Sequence, residues 1–161
     1  MSESPDGRLP SWRSIGYDRD GEMEMNEFKF LLYVSEPAQS NLMKFVKALF
    51  THRNPYTTRT LAEEPAMAFV STVNEGGLML SPPNAVQLTD EFRTQWEAWL
   101  AEKKAEDPAN YGDVSSDIPE NYTDTKGGWA YALFVQDRQR RLFSRLHDLM
   151  HNELKCPVPM T

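Results

Sequence analysis

A small mixed α/β domain is the fold class this sequence predicts, and three observations lead to it. Three short runs of aromatic and branched residues, Phe28–Val34, Met67–Val73 and Trp129–Val135, show little polar alternation, as interior strands do. Between and after them, apolar residues recur at helical spacing in 38–50, 92–100 and 142–150. The chain has 161 residues, 40% of them hydrophobic, which is enough for one core with little room for a second.

The elements follow in order. Residues 1–27 read as a polar N-terminal arm, broken by Pro5, Gly7, Pro10 and Gly16 and acidic from Asp18 to Glu27. Phe28–Val34 is the first expected strand. Ser35 then caps a helix with Pro37 in its first turn, and Ala38, Leu42, Phe45, Val46, Leu49 and Phe50 form one stripe facing the sheet. A polar connector, 51–65, precedes a predicted hairpin made of Met67–Val73, the turn Asn74–Gly77 and Leu78–Leu80. Thr89-Asp90-Glu91 starts a second helix, with a hydroxyl cap and carboxylates at its positive end. Its buried face is Phe92, Trp96, Trp99 and Leu100. Residues 105–127 form a long acidic loop, a length often functional or disordered. Trp129–Val135 is the last expected strand. Asp137 opens a final helix with Leu142, Phe143, Leu146, Leu149 and Met150 on its apolar side, and 155–161 is a tail.

Strand, helix, strand, strand, helix, strand is the order of a ferredoxin-like split βαβ core, with a C-terminal helix added. A thioredoxin-like sheet is the alternative. Domain organisation is expected to be arm 1–27, one domain 28–154 and tail 155–161. The segments 30–50 and 131–150 echo each other, pairing Leu42, Val46, Leu49 and Phe50 with Leu142, Leu146, Leu149 and Met150, as two strand–helix units under the same packing rules would.

Composition narrows the function. A net charge of -7 repels a phosphate backbone at long range and suits a basic protein partner. The lone Cys156 allows no intrachain disulfide and no multi-cysteine zinc site. The opening MSESPDGRLPSW has no apolar run and is not expected to be a signal peptide, and no stretch is long and apolar enough to span a membrane, so a cytoplasmic location is expected. No GxSxG elbow, P-loop or dinucleotide fingerprint occurs, and no cofactor is expected.

Several features bear on sites. The segment 16–28 resembles a calcium-binding EF-hand loop, with Asp18, Asp20, Glu22 and Glu24 at oxygen-ligand positions, Gly21 at the turn and Glu27 at the bidentate position. Gly16 stands where the first ligand belongs, no entering helix precedes it, and a strand is expected to follow. His147 and His151, four apart, can share a helix face as an incomplete metal pair. Arg138, Arg141 and Arg145 can line one side of the last helix, with Arg140 nearby. Arginines in the first turns of a helix beginning at Asp137 oppose its dipole, so salt bridges to the acidic loop or an acidic partner should compensate. Trp12, in a polar arm, either folds back or anchors a partner.

These features lead to a non-catalytic protein-binding domain, an acidic inhibitor, immunity or accessory protein that masks a partner through Trp12, Arg138, Arg141 and Arg145. One alternative is a metal-dependent hydrolase with a histidine and carboxylates. Another is a nucleic-acid-binding ferredoxin-like domain that stacks bases on Phe30 and Tyr131.

Overall fold

The apolar runs of this chain are helical. The computed structural model describes residues 11–73, 90–119 and 125–160. Among these residues there are helices and three isolated β-bridges but no sheet. Neither the ferredoxin-like nor the thioredoxin-like expectation holds, and the α/β class is replaced by a helical one. The predicted turn Asn74–Gly77 and strand Leu78–Leu80 lie outside the described residues.

The first expected strand is helix α1, Met25–Leu31, followed by a turn through Val34. Its start is set by Glu24 and Glu27: the Glu24 N–H donates to Glu27 Oε2 at 3.0 Å, half of a capping box. Phe30 through Val34 are all buried. A run buried on every side has no polar face to reveal its period, and so reads equally as strand or helix.

Helix α2, Glu36–Thr51, forms where the sequence places it, with the Ser35 hydroxyl accepting from the Ala38 N–H at 3.3 Å. Helix α3, Asp90–Glu106, also forms and buries its expected face, Phe92, Trp96, Trp99 and Leu100. Residues Met67–Val73 form no strand; a single parallel bridge joins Val70 to Met160. The acidic loop begins with a short helix, α4, Pro108–Tyr111, capped by Asp107, whose Oδ1 accepts from the Asn110 N–H at 3.2 Å. Tyr111 and Val114 are buried, and the Trp96 Nε1–H donates to the Ser116 carbonyl at 2.8 Å, tying the loop to α3.

The largest correction is α5, Lys126–His147, which absorbs both the last expected strand and most of the last expected helix. Its cap is Thr125, whose Oγ1 accepts from the Gly128 N–H at 3.1 Å. Tyr131, Phe134, Val135, Leu142 and Leu146 are buried, a spacing of three and four that belongs to a helix. Asp137 is therefore an interior residue, not a cap. The backbone then widens into a π-helical turn, Asp148–Glu153, in which the Leu154 N–H reaches back five residues to Leu149. The two strand–helix units of the internal echo are thus different objects, a helix pair (α1–α2) and one continuous helix (α5).

The main core lies between α3 and α5. Phe134 packs edge-on against Trp96 and Phe92, each at 5.5 Å between ring centres, and Trp96 stacks on Trp99 at 5.8 Å. Trp12, Ile15 and Met23 join this core. A second cluster gathers Phe50, Met150 and Cys156 where α2 meets the C-terminal turn.

Candidate functional site

Trp12 is a core residue. It is only 2% exposed, meets Tyr17 edge-on at 5.6 Å, and carries the Arg19 guanidinium 4.4 Å above its ring. Ile15 and Met23 are buried with it. The bridge from Ser11 to Glu22 folds this segment back on itself. A partner could reach the indole only after 11–23 had moved.

The arginines are engaged within the chain. Arg138, with a side chain 12% exposed, donates to Gln95 Oε1 at 3.0 Å and to Asp137, and its Nε is buried with no hydrogen-bond partner among the described residues. Gln95 in turn donates to the Val34 carbonyl at 2.6 Å, so one polar chain joins α5, α3 and the turn that follows α1. Arg141 pairs with Asp137 at 3.2 Å, and Arg145 pairs with Glu36. These partners sit on α5 itself and at the start of α2, not on the acidic loop. The dipole conflict also disappears. Because α5 starts at Lys126, none of Arg138, Arg141 and Arg145 lies in its first turn, and Arg145 falls in its last, where positive charge is favoured.

The EF-hand-like ligands do not converge. Asp18 and Asp20 both face Arg13, at 3.6 and 2.7 Å, with Asp18 99% exposed. Glu27 is committed to the Glu24 N–H and to Arg19. Glu22 sits in the bridge to Ser11. The element after the loop is a helix, contrary to expectation, but only a 3-10 turn, Arg13–Ile15, precedes it. Among the described residues, no group of three or more His, Cys, Asp or Glu side chains could hold a metal ion. His147 and His151 do meet, with ring centres 4.4 Å apart, beside Asp148. Phe30 and Tyr131, the expected base-stacking rings, are both buried, and the sheet that would display them is missing among the described residues.

What the sequence reading missed is the outer face of α2. The stripe expected to face a sheet is only partly used: Ala38 and Phe50 are buried and Leu42 and Val46 partly so, while Phe45 is 60% exposed and Leu49 44%. Ala48 between them is exposed too. At helical spacing Phe45 and Leu49 fall on the side of α2 that buries Ala38 two turns earlier, so the stripe itself gives no signal that they stay exposed. No helix among the described residues is long and apolar enough to cross a membrane. No protein-family model, curated protein or solved structure matches the chain.

Proposed function

We propose that the chain is a non-catalytic protein-binding domain that masks or bridges a basic protein partner by laying the outer face of α2 into an apolar groove. The observation that carries this reading is the exposure of Phe45 and Leu49 one turn apart on α2. An aromatic and a leucine so spaced are the anchors by which an amphipathic helix occupies a groove. Burying the half of each that is still exposed would contribute roughly 1 kcal/mol. Lys47, beside them, is already paired with Glu153 at 2.7 Å. The net charge of -7 would speed encounter with a partner of opposite sign. The arginines, held inside the chain, support this reading only as scaffold.

The test is capture of partners by the wild-type chain and by the double variant Phe45→Ser/Leu49→Ser, with sedimentation of each. A saturable, net-basic partner that binds the wild type, associates more slowly as salt rises, and is lost in a variant with unchanged circular dichroism would support the reading. Equal capture by both chains would overturn it. A self-associating wild type and a monomeric variant would assign the face to a second copy instead, which also overturns a basic partner.

A further inference from the structure

Two imidazoles four residues apart sit at the junction of α5 and the π-helical turn. His147 is exposed, with 62% of its side chain accessible, and His151 is partly so, with their ring centres 4.4 Å apart and the planes inclined by 51°. Ring separation is one geometric requirement of chelation. With metal–nitrogen bonds of about 2.1 Å and about 1.1 Å from nitrogen to ring centre, two imidazoles bound at a right angle place their centres about 4.5 Å apart, and a tetrahedral angle needs about 5.2 Å. The pair thus stands at the right-angle spacing before any ion arrives.

The electrostatic surroundings agree. Asp148 Oδ1 lies 3.9 Å from His147 Nδ1 and is itself held by the Asn152 amide at 3.0 Å. The pair also lies at the carbonyl end of α5, which favours positive charge.

We infer that His147 and His151 form a two-imidazole surface chelate for a first-row dication that accepts cis nitrogen ligands at a right angle, Ni²⁺ or Cu²⁺ in type, with water completing the coordination. The inference does not rest on the role proposed for the α2 face. It is a binding site and not a catalytic one, since no third protein ligand joins it among the described residues.

Calorimetric titration of the untagged chain with Ni²⁺ tests this. One equivalent should bind, and His147→Asn and His151→Asn should each weaken binding by about tenfold or more, because losing a direct ligand exceeds the effect of losing a supporting one. The double variant should be little worse than either single, as a chelate requires both rings, and His52→Asn should match the wild type. Wild-type affinity equal to that of the double variant, or a single His147→Asn or His151→Asn change without effect, would overturn the chelate. Thermal melts of each variant establish that all four chains are folded when titrated.

Discussion

Arg145 forks across Glu36: its two terminal nitrogens donate to the two carboxylate oxygens at 2.6 and 2.8 Å, joining the end of α5 to the start of α2 across 109 residues of chain. Arg145 also reaches Gln39 one turn further on, and Gln39 donates to the Leu32 carbonyl at 2.8 Å. Each charge sits at the helix end whose dipole favours it.

Breaking this fork should be measurable. Both side chains are substantially exposed, so solvent screens the pair, and Glu36→Gln is expected to lower stability by about 0.5–1 kcal/mol. A double-mutant cycle with Arg145→Met in urea denaturation should return a coupling of similar size. The Arg145 hydrogen bonds hold the Glu36 carboxyl below its usual value. Its contribution should be complete above the ordinary carboxylate range, near about pH 4.3, and disappear as pH falls through the lower folded value, so Glu36→Gln should cease to matter in strong acid.

Tyr17 should act at the opposite end of the pH scale. Burial first, and then its hydrogen bond to Glu91, push its hydroxyl up to about 12. A raised value favours the protonated form in the folded chain. The stabilisation is full below the ordinary tyrosine value, about 10, and is lost as pH rises through the folded value. Absorbance titration near 295 nm should show a late-ionising tyrosine that Tyr17→Phe removes, and the wild type should lose its stability advantage over that variant between about pH 10 and 12.

Trp96 is the centre of the α3–α5 interface. It is fully buried, contacts the rings of Trp99, Tyr131 and Phe134, and holds the 112–119 segment through Ser116. Trp96→Ala should cost about 3–5 kcal/mol, read as a shift of the denaturation midpoint. Trp96→Phe should keep part of the packing, lose the bond to Ser116, and fall between the two.

Gly127 distinguishes a helix start from a turn. It lies in the first turn of α5, without the positive φ seen at Gly16 and Gly21, and an added Cβ would meet nothing closer than 3.9 Å. Gly127→Ala should therefore stabilise the chain by about 0.4–1 kcal/mol, through reduced freedom of the unfolded state. A turn glycine would give the opposite sign.

Legibility in the sequence varied with what local residues specify. Helices α2 and α3 were readable because each has a start signal beside an apolar stripe, Ser35 before Glu36-Pro37 and Asp90-Glu91 before Phe92. Phe28–Val34 and Trp129–Val135 were misread because a short run of almost wholly apolar residues shows no period in its sequence. The deciding signals lay just outside them, in the Glu24–Glu27 box and the Thr125 cap. Moving the start of the last helix back from Asp137 to Lys126 also took Arg138 and Arg141 out of a first turn and put Arg145 in a last one.

By itself, then, the sequence determined composition-level and local properties: a net charge of -7, no intrachain disulfide, the helices α2 and α3, and aromatic side chains enough to fill one core. Those follow from counting and from interactions within a few residues. Only the tertiary structure decided that Trp12 folds back into the core, that Arg145 meets Glu36, and that Phe45 and Leu49 stay exposed. Each of these depends on which surfaces come to cover one another. Burial is a property of the packed whole, and residues distant along the chain supply the cover.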